Sequence, residues 1–208
     1  MPEITRQVDL RAGYYNAIKS LQEGTYKGSG DIIDWTLWDR LVMLNTTNRH
    51  VLFVNGIGGT FPGGALKDMA DTNVEGNQGM PLGSKLYVRA IKLFYQFHAE
   101  PSEAIMQDFY DMLQETTFNI SIYGKYSYGQ WGLDELFGIC VTGQPLAAVV
   151  APGISQNRYV GIYPLNLPIV LASQVSFQVQ VEHHAAAADT LNTDRIKVGL
   201  NGILERLS

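Results

Sequence analysis

The sequence predicts an all-β domain built as an antiparallel sandwich or barrel. Short segments rich in β-branched and aromatic residues recur along most of the chain. Turn-forming Gly, Asn, Asp and Pro separate them, and only one clear helical pattern interrupts the series after its first third. A parallel α/β sheet would need a helix after almost every strand, so an antiparallel arrangement is favoured.

The first 30 residues are predicted to form an N-terminal helix or arm. Within the segment from Val8 to Leu21, the residues Leu10, Tyr14, Ile18 and Leu21 fall on one helical stripe. This apolar stripe could pack on its own domain, contact a neighbouring subunit, or lie against an underlying membrane. Residues 31–208 show neither an internal repeat nor a low-complexity linker, so we expect one sandwich domain there.

The segment from Ile32 to Phe61 is predicted to contain strands joined by turns. The next stretch, Phe61 to Gly83, is rich in glycine and polar in its middle, which is typical of a long loop. We expect this loop to have few contacts of its own and to contact other subunits, because ordering an isolated loop is entropically unfavourable. The segment from Lys85 to Phe97 is the clearest strand of the chain.

A helix is predicted from Ser102 to Glu115. The sequence Glu100-Pro101-Ser102 is a helix-start signal, and Ile105, Phe109 and Met112 or Leu113 share one face. Further strands are expected in the segments 117–128, 136–150, 159–163, 167–171, 175–181 and 195–204.

The composition limits the function. A hydrophobic content of 46% suffices for a substantial core, and the lack of a long apolar run or a secretory signal predicts a soluble protein. A net charge of −5 disfavours a nucleic-acid coat, which needs clustered Lys and Arg. Only 17% of residues are charged, which indicates a surface partly covered by neighbours.

The glycine cluster from Gly56 to Gly64 is not a phosphate-binding loop. Such a loop needs Lys followed by Ser or Thr, whereas Ala65 and Leu66 follow here. We interpret the cluster as an ordinary β-loop.

Metal binding is not expected. The histidines His50, His98, His183 and His184 occur without the spacing of a known metal motif. Cys140 is the only cysteine, so an intrachain disulfide and a four-cysteine zinc site are excluded, and an apolar run predicts that its thiol is buried and inert.

The carboxylates also suggest no catalytic site. Asp108, Asp111 and Glu115 are explained as the solvated face of the predicted helix. Asp134 and Glu135 beside Trp131 could form a sugar-binding or hydrolytic pair, but neighbouring residues of a strand point to opposite faces. Because no GxSxG nucleophile turn occurs either, we expect neither an enzyme nor a cofactor.

Three segments resemble the capsid proteins of tailless icosahedral bacteriophages. They are NRHVLFVNGIGG with DTNVEGNQGMPLGSKLYVRAIKLFY, then YPLNLPIVLASQVSFQV, and the ending IKVGLNGILERLS. The resemblance implies a single jelly roll with one inserted helix. It further implies a virion structural protein that builds a shell through many weak contacts with copies of itself and other capsid proteins, and it leaves open whether an internal membrane is a further surface. The chain departs from the family in its mildly acidic charge and the lack of a basic N-terminal arm, so we expect no direct contact with nucleic acid.

Two other functions remain open from the sequence. One is a carbohydrate- or receptor-binding sandwich, which would need an aromatic and amide-rich pocket or a calcium site. The other is a cupin-like enzyme on a jelly-roll scaffold, which would need converging ionisable side chains.

Overall fold

The computed structural model describes residues 30–61, 65–75, 80–98, 101–122, 126–137, 158–184 and 191–207. In these ranges the elements are β1 (Gly30–Val42), β2 (Arg49–Leu52), β3 (Ser84–Gln96), α1 (Glu103–Glu115), β4 (Thr116–Ile122), β5 (Tyr126–Gly132), α2 (Leu133–Phe137), β6 (Arg158–Leu171), β7 (Phe177–His183) and β8 (Arg195–Leu207). The predicted N-terminal helix lies outside the described residues. None of the helices in these ranges is long and apolar enough to cross a bilayer.

The strands form two four-stranded antiparallel sheets, so the predicted all-β sandwich is confirmed. The long-strand sheet has the order β1-β8-β3-β6, and the short-strand sheet has the order β2-β7-β4-β5. The first strand therefore pairs with the last, the second with the seventh, the third with the sixth and the fourth with the fifth.

The core lies between the sheets and follows from alternation along the strands. In β7 the side chains of Phe177, Val179 and Val181 are buried, and in β4 those of Phe118 and Ile120 face them from the neighbouring strand. One apolar cluster joins these residues to the buried side chains of β1, β3 and β8. In β4 and β7 at least every second residue is thus removed from water, and burial of such apolar side chains is the main stabilising contribution.

A register shift in β3 explains why its apolar residues change faces. Leu86 and Val88 face the core, and the pairing with both β6 and β8 shifts between Val88 and Ala90. After this bulge, Ile91 and Leu93 face the core instead of the even-numbered positions. The predicted strand is confirmed. The bulge inserts one extra residue into the strand, and the alternation of apolar residues alone did not predict its position.

Helix α1 begins where the sequence predicts. The Ser102 hydroxyl accepts a hydrogen bond from the Ile105 N–H at 3.4 Å, which is the expected N-cap. Phe109, Met112 and Leu113 are buried. Their ring contacts include Phe109 with Tyr95 at a centroid distance of 4.5 Å, so the helix closes one end of the core.

Three predicted strand boundaries are wrong. The segment 117–128 is not one strand but spans β4 and the start of β5. The segments 159–163 and 167–171 belong to one strand, β6. Leu136 and Phe137, predicted to begin a strand, are in helix α2, and the remainder of that segment lies outside the described residues.

The register divides the sandwich into two ends. Val42, Gln96 and Arg158 lie at one end beside Arg195, so the β1–β2 connection, both helices and the β7–β8 connection are there. We call this the helical end. The opposite end, called the loop end, carries the β2–β3, β4–β5 and β6–β7 connections.

Candidate functional site

A buried carboxylate at the helical end holds His98. Asp194 is fully buried, and its Oδ1 accepts the backbone N–H of His98 at 2.8 Å and lies 2.6 Å from His98 Nδ1. Its Oδ2 accepts the Tyr95 hydroxyl at 2.5 Å. Asp194 lies in the turn before β8, while His98 follows β3, so the cluster ties these two neighbouring strands together at their ends.

The cluster fixes the orientation of the imidazole. Because Nδ1 faces Asp194, Nε2 is the ring nitrogen left for other contacts, and the His98 side chain is 39% exposed. Burial and the adjacent Asp194 raise the pKa of the Tyr95 hydroxyl far above its ordinary value, so Tyr95 remains a donor. A carboxylate that orients a histidine is also the support found in catalytic triads, but within the described residues His98 hydrogen-bonds to no hydroxyl or thiol.

A second polar cluster contains two buried histidines. His50 on β2 and His183 on β7 contact each other edge to face at a centroid distance of 5.6 Å. Thr116 Oγ1 donates to the Met112 carbonyl at 2.5 Å and lies 2.5 Å from His183 Nδ1. Since the threonine proton is used on Met112, His183 Nδ1 must carry the proton that it donates to Thr116.

Both histidines are neutral at pH 7. Burial lowers the pKa of His50, and burial together with the neighbouring His50 lowers the pKa of His183 to about 4. Neither ring nitrogen of His50 has a hydrogen-bond partner in the described part of the chain, and His183 Nε2 has none there either. Protonation of this pair would place charge in the core without a compensating anion.

A buried ion pair anchors the β2–β3 connection. Lys67 Nζ lies 2.7 Å and 2.9 Å from the two carboxylate oxygens of Asp39 on β1. The same carboxylate accepts the backbone N–H groups of Phe53 at 2.6 Å and Arg40 at 2.9 Å. Burial has the largest effect on Asp39 and raises the pKa of its carboxyl group above the ordinary value. Lys67 and the two N–H groups act in the opposite direction and reduce this increase in pKa.

The connection also covers the free edge of β1. Asn73 accepts the Trp38 N–H at 2.6 Å, and its amide donates to the Thr36 carbonyl at 2.9 Å. Arg40 pairs with Asp71 at 2.8 Å. The expectation that the loop has few contacts of its own is therefore wrong, because an edge strand, an ion pair and side-chain amides hold it. Its role as an intersubunit contact stays a prediction.

The anchored connection presents large apolar side chains to solvent. Leu66 is 69% exposed, Met69 76% and Leu82 79%, and Ile57 is also exposed. Leu66 directly precedes the anchoring Lys67, so its position is fixed by the buried pair. We call these four residues the loop surface.

The other histidine and the paired carboxylates do not converge on a site. His184 is exposed and its backbone N–H donates to the Glu115 carbonyl at 3.1 Å. Asp134 and Glu135 lie in the first turn of α2. The argument against a catalytic pair placed them in a strand with their side chains on opposite faces, and this argument is therefore wrong. Trp131 packs on Phe118 with a centroid distance of 6.1 Å.

The remaining candidate residues have structural explanations or lie outside the described ranges. In the glycine cluster the Gly58 N–H donates to the Lys67 carbonyl and the Gly59 N–H to the Gly56 carbonyl, so these amides are not available to a phosphate. On α1, Asp111 accepts from Gln107 at 2.9 Å, as expected for a solvated face that also carries Asp108 and Glu115. Residues 62–64 and Cys140 lie outside the described residues.

Sequence reasoning missed the acidic members of the clusters. Asp194 sits in a turn, where a carboxylate is expected to be exposed, and Asp39 occupies an inward position of an apolar strand. Within the described ranges, no group of three His, Cys, Asp or Glu residues is arranged to hold a metal.

No protein-family model matches the chain, and no curated protein matches it significantly.

Proposed function

We propose that the chain is a virion structural protein, a single jelly roll that builds an icosahedral shell from copies of itself and other capsid proteins. The proposed location of the protein is the virion. Its functional surfaces in this proposal are the contacts between subunits, and a catalytic centre is not part of the function. The buried histidines and the His98–Asp194–Tyr95 cluster then serve the rigidity of the domain.

The strand order supports a jelly roll. This fold has eight strands in two sheets built from two Greek keys, as in many viral capsid domains. Here four antiparallel pairs join the first strand to the last and then proceed inward to the β4–β5 pair. Rolling one long antiparallel ribbon of these pairs gives the two observed four-stranded orders.

The loop surface is the observation that carries the assembly function. Leu66, Met69 and Leu82 are each more than two thirds exposed on a connection that is held in place by the buried Asp39–Lys67 pair. Apolar side chains on an anchored loop lose little further conformational entropy when a partner covers them. Burying each would contribute about 1.5–3 kcal/mol, which suits contacts that are individually weak and repeated many times.

Assembly of the purified chain tests this function. We expect particles in electron micrographs and a rapidly sedimenting species, both lost when Leu66 and Met69 are replaced by Ser. The matched control is Tyr128→Ser, which removes an exposed large side chain from β5 and should leave assembly intact. A wild-type chain that remains monomeric at every concentration would overturn the proposal.

One observation favours a second function, an enzyme on the same scaffold. Asp194, which itself accepts a hydrogen bond from Tyr95, holds His98 with Nδ1 turned inward, and this is how a general base is oriented. In this case the protein should accelerate hydrolysis of an activated ester such as p-nitrophenyl acetate beyond free imidazole, and His98→Gln should abolish the excess. A rate no greater than that of free imidazole would reject the enzyme function.

A further inference from the structure

The outer face of the long-strand sheet is divided by charge into two halves. Toward the helical end, one row of paired residues crosses all four strands of this face. In the order of the strands in the sheet, it consists of Arg40 of β1, Lys197 of β8, Phe94 of β3 and Val160 of β6. In the next row Lys92 lies opposite both Gly199 and Ile162. Arg195 of β8 ends the face. No strand residue of these rows is acidic.

The cations of this half outnumber their nearby anion, since Asp71 pairs with Arg40 and also acts on Lys197. Arg40 pairs with Asp71 from the anchored connection, but Lys92, Arg195 and Lys197 form no ion pair within the described ranges. Lys197 instead lies over the Trp38 ring at 4.5 Å from its centroid. The other half of the same face contains Asp34, which pairs with Arg89, and Glu205, which lies opposite Lys85.

Exposed apolar side chains lie among the cations. Phe94 is 39% exposed, Val160 55% and Ile162 62%, and the pairing of β3 with β6 places them in two adjacent rows. We call these three residues together with Lys92, Arg195 and Lys197 the basic face. Two of the three apolar side chains lie on the edge strand β6 and the cations on the central strands β3 and β8, so the face offers apolar burial beside positive charge, and protein interfaces use both.

The same chain carries a complementary surface on α1. The sequence of this helix, EAIMQDFYDMLQE, contains no lysine or arginine, and Glu103, Gln107, Asp111 and Glu115 form an exposed stripe at intervals of four. Asp111 and Glu115 lie near the C-terminal end, where the helix dipole disfavours negative charge. Cations from outside the helix would therefore relieve an unfavourable interaction as well as form new ones.

The dimensions of the two surfaces match. A helix of 13 residues is about 20 Å long. The four strands span about 14 Å from the first to the last axis, with side chains extending beyond them. The helix can thus lie across the sheet and contact cations on both β3 and β8.

We infer that the basic face of one copy binds α1 of a second copy. This inference rests on the proposed function and names the surfaces that meet in the assembly. Because the face and the helix are different parts of each chain, every copy supplies one of each, and the contact is head to tail. Contacts of this type close into rings and shells when the rotation between copies allows it.

Charge reversal with a matched control tests the contact. We expect Lys92→Glu to weaken self-association of the full chain about tenfold or more in sedimentation experiments. Lys85→Glu makes the same change on the same strand and the same face, in the half that already contains Glu205, and should have less than about a twofold effect. The double variant Lys92→Glu with Asp111→Lys should regain most of the lost association.

The outcomes separate this inference from the proposed function. If wild-type shells form and Lys92→Glu assembles as well as Lys85→Glu, or if the double variant is not rescued, the docking contact is wrong and the shell function stands. If the wild type forms only small oligomers that Lys92→Glu dissociates, the contact stands and the shell function fails. A monomeric wild type that binds phosphatidylglycerol vesicles or a single-stranded oligonucleotide through Lys92 would overturn the contact in favour of an anionic partner.

Discussion

Lys67 Nζ and the Asp39 carboxylate are joined at 2.7 Å inside the domain, although the two residues are 28 positions apart along the chain. Three donor groups make four hydrogen bonds to that carboxylate: Lys67 Nζ makes two, and the Phe53 and Arg40 N–H groups make one each. The pair lies between β1 and the connection that carries the loop surface, so it links the stability of the sandwich to the position of the contact residues.

Removing one partner of this pair should be strongly destabilising. Lys67→Met leaves the Asp39 charge buried without its cation, and we expect a loss of about 3–5 kcal/mol in the free energy of unfolding. Denaturant titration followed by circular dichroism measures it. The double variant Asp39→Leu with Lys67→Met should recover a large part, and a loss below about 1 kcal/mol in the single variant would contradict the burial of an ionised pair.

The buried histidine pair should make stability fall in mild acid. The pKa of His183 is lowered from 6.5 to about 4 in the folded chain, so the unfolded chain binds the proton first as the pH falls. Its contribution is fully present above pH 6.5 and is lost as the pH falls toward 4, by about 3 kcal/mol in total. Urea titrations across this pH range measure the slope.

Two variants identify the origin of this pH dependence. His183→Gln should flatten the slope, because the titrating group is gone, whereas His184→Gln at the exposed neighbouring position should leave it unchanged. Equal slopes in the wild type and His183→Gln would assign the acid sensitivity to other groups.

The Asp194 carboxylate should matter more than any one of its donors. Asp194→Asn replaces an acceptor oxygen by a donor that faces either Tyr95 or His98, and we expect a loss of about 2–3 kcal/mol in thermal or denaturant unfolding. Tyr95→Phe removes only one hydrogen bond but leaves half of the carboxylate unsatisfied, with an expected loss of about 1–2 kcal/mol. Asp194→Asn with wild-type stability would show that the cluster is not structural.

A glycine in β8 should be intolerant of a methyl group. A Cβ at Gly202 would lie 1.9 Å from the Tyr87 carbonyl oxygen, and backbone cannot move aside as a side chain can. We expect Gly202→Ala to destabilise the domain by about 1–3 kcal/mol or more. At Gly199 in the same strand, the nearest atoms to an added Cβ are the side-chain atoms Thr36 Cγ2 at 3.0 Å and Lys92 Cβ at 3.4 Å, so Gly199→Ala should cost less. The reverse order in measured unfolding free energies would contradict the β3–β8 register.

Local pattern was sufficient for much of the fold. The alternation of Phe177, Val179 and Val181 identifies a strand and its buried face, and Ser102 marks the start of α1 within one residue. Neither feature depends on distant parts of the chain. The segments 159–163 and 167–171, predicted separately, form one strand, β6, and Pro164 and Pro168 lie within it. Pro168 is tolerated because residues 165–168 have no partner in the β3 pairing.

The candidate sites could be predicted only in part. Exposure of Leu66 and Met69 depends on how the connection folds back on β1, and the Tyr95–Asp194 bond joins residues 99 positions apart. No spacing rule brings such residues together. The basic face could not be predicted either, because its residues come from three strands, β3, β6 and β8, that become neighbours only in the sheet.

Sedimentation velocity of the purified chain over a wide concentration range is the direct test of shell assembly. We expect a concentration-dependent transition from a 23.0 kDa monomer to large closed particles, and this transition should weaken as salt screens the charged contact. A single 23.0 kDa species at all concentrations and salt conditions would contradict it.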